Sequence, residues 1–129
     1  MYYVAKKDIK SYNVDMRINR FEDVVSWQKA KLLSVLIYKN FSACKDYSFR
    51  DQIQRAAVSI MNNIAEGFER GGDKELKYFL FVAKGSCGEV RSMLILAKEL
   101  ELLSVESYQE AYILAEDISK LLSGFIKKL

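Results

Sequence analysis

The chain has 129 residues, half of them hydrophobic, with no proline, no histidine, six glycines and two cysteines, and its 20 basic side chains exceed its 17 acidic ones by three. That length fits one domain with enough apolar content to bury a core, and the lack of proline permits helix almost anywhere. Without histidine, Ser-His or Cys-His catalysis and metal chemistry lose their commonest participant, so no metal and no cofactor are expected. Cys44 and Cys87 are far apart in sequence and read as free buried thiols, not as a disulfide framework. No apolar run reaches the ~18–20 residues that span a bilayer. The longest, residues 32–38, is flanked by Lys29, Lys31 and Lys39, and the N-terminus lacks the apolar stretch of a signal peptide. A cytoplasmic protein with no membrane contact is expected.

Residues 1–20 read as a basic N-terminal arm and 21–129 as the folded unit. The arm holds Lys6, Lys7, Lys10, Arg17 and Arg20 against Asp8 and Asp15, so it carries the whole net charge of +3. Within it Tyr12, Val14, Met16 and Ile18 alternate with polar residues, the period of a short strand that needs an edge to pair with. Another subunit's arm is one source of that edge.

Four helices are predicted to follow. The first spans about 22–41, opened by a capping box of Asn19 and Glu22. The second is capped by Ser48 and runs to about Arg70, stopping at Gly71-Gly72. Asp73 opens the third, which extends to about Leu102 with Glu75 favouring its N-terminal dipole. The fourth opens at Ser104 or at Ser107 and ends with Lys127-Lys128. Short loops between long helices imply antiparallel neighbours. The fold class is therefore all-α: an antiparallel up-down-up-down four-helix bundle with a short N-terminal extension.

Patterning within the helices points to assembly. On the third, Leu76, Leu80, Ala83, Cys87, Val90, Leu94 and Ala97 form a heptad seam for the core. A second, offset seam of Phe79, Val82, Ser86, Glu89, Met93, Leu96 and Leu100 is mostly apolar and needs a further partner. The first helix is apolar around most of its circumference. A homo-oligomer covers such surfaces economically, with Trp27, Phe79, Val82, Met93, Leu96 and Leu100 as interface candidates. Gly85 and Gly88, each costing about 1 kcal/mol in mid-helix, read as the site of a close helix crossing; no phosphate-loop pattern surrounds them.

The second helix separates into two faces. Ile53, Ala56, Ala57, Ile60 and Ile64 make its core stripe, while Gln52, Arg55, Ser59, Asn63, Glu66 and Arg70 fall within an arc of roughly 80°. Gln52, Arg55, Ser59, Asn63 and Glu66 read as a polar network that satisfies buried groups and sets helix register or a subunit contact. A catalytic pocket with Glu66 as a base raised by burial is the weaker reading, so the chain is read as non-enzymatic.

These residues resemble the four-helix-bundle family of 23S ribosomal RNA intervening-sequence proteins over about 21–128. The likeness rests on Phe21, Trp27-Gln28-Lys29-Ala30 and Tyr38; on Gln52-Ile53, residues 55–60 and residues 63–67; and on Phe79-Leu80, Ala83, Gly85-Ser86 and Glu89. The resemblance implies a homopentameric ring or barrel. The chain is similar also to the accessory variability-determinant proteins of diversity-generating retroelements, which share the architecture and bind nucleic acid and a reverse transcriptase. Two functions follow as expectations. One is a non-catalytic scaffold that gathers five basic arms at a rim and contacts RNA or DNA through Lys6, Lys7, Lys10, Arg17 and Arg20, assisted by Lys29, Lys31, Arg50, Arg70, Lys74 and Lys77. The other is a scaffold for a protein partner, without nucleic acid.

Overall fold

A computed structural model describes residues 2–3 and 17–129, with side chains from Ile18 onward. Tyr2–Tyr3 (β1) pairs antiparallel with Arg17–Ile18 (β2), Tyr2 opposite Ile18. The edge that pairs with β2 is thus the chain's own N-terminus. Most of the expected alternating strand, residues 12–16, lies outside the described residues. Ile18 is buried among the core side chains, which ties the end of the pair to the bundle.

Four helices follow: α1 (Val25–Asn40), α2 (Tyr47–Glu69), α3 (Asp73–Glu99) and α4 (Val105–Lys127). Each packs on its neighbours in sequence, and α1 closes the ring against α4, giving the antiparallel up-down-up-down bundle. The core is continuous. Leu33 and Ile37 of α1 meet Ile53, Ile60 and Ile64 of α2, the full first seam of α3, and Ile118, Leu122 and Phe125 of α4.

Two helix starts differ from expectation. Asn19 and Glu22 form no capping box. A 3-10 turn at Phe21–Asp23 precedes α1, and neither start carries a side-chain cap. Burial holds that entry instead: Val24 is fully covered, Phe21 sits edge-on to Trp27 at 5.1 Å, and the Gln28 amide donates to the Glu22 carbonyl at 2.9 Å. At α2 the cap is Asp46, two residues before Ser48; its carboxylate accepts from the Phe49 amide at 3.1 Å. Ser104, not Ser107, caps α4 and accepts from the Ser107 amide.

The helix ends obey local chemistry. Gly71, at φ +86°, takes the left-handed turn between α2 and α3. α3 closes with the Leu102 amide bonded to the Ala97 carbonyl and the Glu101 amide to that of Lys98. That is a Schellman closure with Glu101 at φ +57°, where glycine is the usual occupant.

Candidate functional site

The polar stripe of α2 faces α3, and the two helices share a ladder of side-chain bonds. The Gln52 amide donates to Glu89 at 2.7 Å, and the Ser59 and Ser86 hydroxyls meet at 2.9 Å. One turn on, the Asn63 amide donates both to the Ser59 carbonyl at 2.8 Å and to the Ser59 hydroxyl at 3.0 Å. Glu66 pairs with Arg70 at 2.8 Å, and the Arg70 guanidinium lies 5.1 Å over the Phe79 ring. The Gln52–Glu89 and Ser59–Ser86 bonds and the Arg70–Phe79 contact join α2 to α3, while the Asn63 and Glu66 bonds lie within α2.

The ladder is not a buried charge network. Gln52, Glu66, Arg70 and Glu89 are exposed, and only Ser59, Ser86 and Asn63 are half-buried. Glu66 stands at the surface, and its carboxylate is occupied by Arg70. Arg55 joins none of these bonds. It lies instead between two shallow grooves, one of about 500 Å³ with Tyr38, Asp51 and Asn62, the other with Gln52 and Glu89. The α3 partners, Ser86 and Glu89, stood in the sequence as polar breaks in the second seam. Their spacing, 86 and 89 against 59 and 52, was the available signal.

Gly67 explains how closely the two helices approach. A Cβ there would lie 2.7 Å from that of Phe79 and 3.2 Å from Leu76 Cδ1. Gly85 and Gly88 are different: a Cβ at either meets nothing within 4 Å. The close crossing within the chain is at Gly67, and the mid-helix pair of α3 faces outward.

Among the described residues, the expected cationic contacts are spread over several elements. Lys6, Lys7, Lys10 and the Arg17 side chain lie outside the described residues. Arg20 pairs with Glu22 at 3.3 Å, Lys29 with Asp117 at 3.5 Å, and Arg50 with Asp51 at 3.0 Å. Lys31 lies over Trp27 at 5.4 Å. Arg70 and Lys74 share a groove of about 670 Å³ with Glu75, Tyr78 and Phe79, while Lys77 stands exposed on the next turn. Antiparallel topology puts Lys29, Lys31, Arg70, Lys74 and Lys77 near one pole of the bundle and Arg50 near the other.

The interface candidates divide into two sets. Trp27, Phe79 and Met93 are half-buried against their own chain; Val82, Leu96 and Leu100 are exposed. Phe79 owes its cover to Gly67 and Arg70, so part of the second seam is met by α2. Cys87 is buried, its thiol donates to the Ala115 carbonyl at 3.0 Å, and burial raises its pKa to about 11. That is the character of a packing residue, not a nucleophile. No helix among the described residues is long and apolar enough to cross a membrane.

Comparison with known proteins agrees with this architecture. No curated protein matches the chain. A solved structure of a protein of unknown function from the S23 ribosomal protein family of Bacteroides thetaiotaomicron VPI-5482 aligns at a TM-score of 0.75 and 27% identity, covering 80% of this chain and 99% of that one. The family model of the 23S rRNA-intervening sequence protein matches residues 22–124, from the 3-10 turn almost to the end of α4. The chain belongs to the 23S rRNA-intervening sequence protein family.

Proposed function

We propose that this chain is the non-catalytic subunit of a homo-oligomeric scaffold. The observation that carries the reading is apolar surface left in water by the folded chain. On α3, Val82, Leu96 and Leu100 are exposed to 36%, 49% and 53%, beside Tyr78 at 63%. Leu32, Val35 and Tyr38 are exposed on α1. Isolated exposed leucines are ordinary, but a file of them along one helix marks a contact surface. Gly85 lies on this outward file and leaves the backbone open to close approach.

The polar stripe supports the non-catalytic part of the reading, since its ladder binds helix to helix and Glu66 is paired at the surface. The resemblance implies five subunits. Light scattering on the purified chain tests the proposal: a molar mass near five times 14.9 kDa is expected, and a stable 14.9 kDa particle overturns it.

Charge placement favours a further role in contacting nucleic acid. All the excess positive charge lies in residues 1–20, and assembly would multiply it at one rim, where phosphate contacts add. RNA or DNA binding that weakens steeply with salt and disappears on deleting residues 1–20 is the expected outcome. A mobility shift that is absent at low salt eliminates this role without touching the scaffold.

A further inference from the structure

On α3 the residues immediately after Leu76, Ala83, Val90 and Ala97 are Lys77, Lys84, Arg91 and Lys98. The first four are buried in the core, so the four cations form one column along the edge of that seam, with one cation every seventh residue. At ~1.5 Å per residue the column repeats every ~10.5 Å and extends for ~32 Å. It looks toward α4: Arg91 lies 5.8 Å over Tyr112, and Lys98 lies 4.9 Å over Tyr108.

In a helix pair this position is where opposite charges answer each other across the seam. The corresponding positions of α4, one after Ala111, Ile118 and Phe125, hold Tyr112, Ser119 and Ile126. No carboxylate answers the column there. Among the described residues none of the four cations joins a salt bridge, and the buried Nε of Arg91 has no acceptor. Four residues beyond the first three cations, on the same outward flank, stand Phe81, Gly88 and Ile95. Phe81 and Ile95 are about half exposed, and the space at Gly88 is empty.

We propose that this flank of α3 docks an amphipathic α-helix of another protein, one bearing carboxylates at seven-residue intervals beside an apolar stripe. Three features select that occupant. The cation repeat equals the repeat of a helix packed nearly parallel to α3. Phe81 and Ile95 offer apolar anchors, and the gap at Gly88 lets a second backbone come close. A nucleic-acid strand would use the charge but not the heptad repeat or the apolar anchors. Phe81 and Ile95 stand on the α4 side of α3, and Val82 and Leu96 on its α2 side, roughly 100° further round the helix, so molar mass is followed in the test beside peptide binding.

The test titrates the full-length protein with two labelled synthetic helical peptides of equal composition, each about four heptads long. One carries Glu at every seventh position beside a leucine stripe; the other has its glutamates scrambled. The patterned peptide is expected to bind at least about ten-fold more tightly. The triple variant K77E/K84E/K98E should lose it and gain the counterpart peptide with Lys in place of Glu. If the triple variant loses helicity, the exposed single changes K77E and K98E replace it, each weakening the patterned peptide and leaving the scrambled one unchanged. Equal binding of the two peptides overturns the proposal, as does tighter binding of a single-stranded RNA of matching charge. A change in molar mass on charge reversal would assign the column to contacts between copies and overturn it equally.

Discussion

At the scale of single residues, two glycines of similar sequence setting have opposite roles. Gly67 is filled space: a methyl there collides with Phe79 and Leu76. Gly67→Ala should destabilise the chain by about 1–3 kcal/mol, overpacking outweighing the gain in helix propensity. Gly88→Ala meets no atom and should stabilise the fold by about 0.5–1 kcal/mol. Denaturant midpoints of the two variants check both signs. Cys87 sets a pH dependence. Its folded pKa is raised from 9.0 to about 11, so above pH 9 the unfolded chain loses its proton first. The thiol's contribution is fully present below pH 9 and is lost as pH rises toward 11, at about 1.4 kcal/mol per unit. Cys87→Ala should flatten that part of a stability–pH curve measured by urea unfolding. Neither glycine's role was legible in the sequence, because the deciding atoms belong to residues brought near only by the fold.

At the scale of elements, the core was legible and the caps were less so. The buried seam of α3 and the apolar stripe of α2 followed from periodicity, since a bundle must hide whatever repeats at helical spacing. Caps depend on a few dihedrals, and Asp46 and Ser48 are chemically alike as acceptors. The choice of Asp46 lengthens α2 by a fraction of a turn and places Phe49 against Phe41, ring centres 5.9 Å apart. Asp46→Ala should therefore cost about 1 kcal/mol while Ser48→Ala is nearly neutral, a contrast that thermal unfolding will resolve. The α2–α3 ladder was half legible: α2 displayed its polar stripe, but α3 offered Ser86 and Glu89 only as interruptions in an apolar column. Reading one helix at a time hides a register made by two.

At the scale of the whole molecule, the proposed assembly rests on the apolar file toward the α2 flank of α3. Replacing Val82 and Leu96 together by Glu should reduce an oligomer to a 14.9 kDa particle with unchanged helicity, measured by light scattering and circular dichroism. An unchanged molar mass would show that the surfaces meeting between copies lie elsewhere, with α1 the next to examine. The extent of the exposed file was legible as a surplus of hydrophobic residues, but not its division. Phe79 and Met93 are partly consumed inside the chain, and the share of Phe79 depends on how closely α2 seats at Gly67.

An even number of antiparallel rods has a practical corollary. Start and finish of the bundle come out at the same pole, beside the Gly71 turn, while the connections at 41–46 and 100–104 occupy the far pole. A fluorescent or affinity module joined to either terminus would crowd whatever the first twenty residues do. Grafted into the connection at 41–46, it would stand at the pole opposite both ends of the bundle and leave Leu100 untouched.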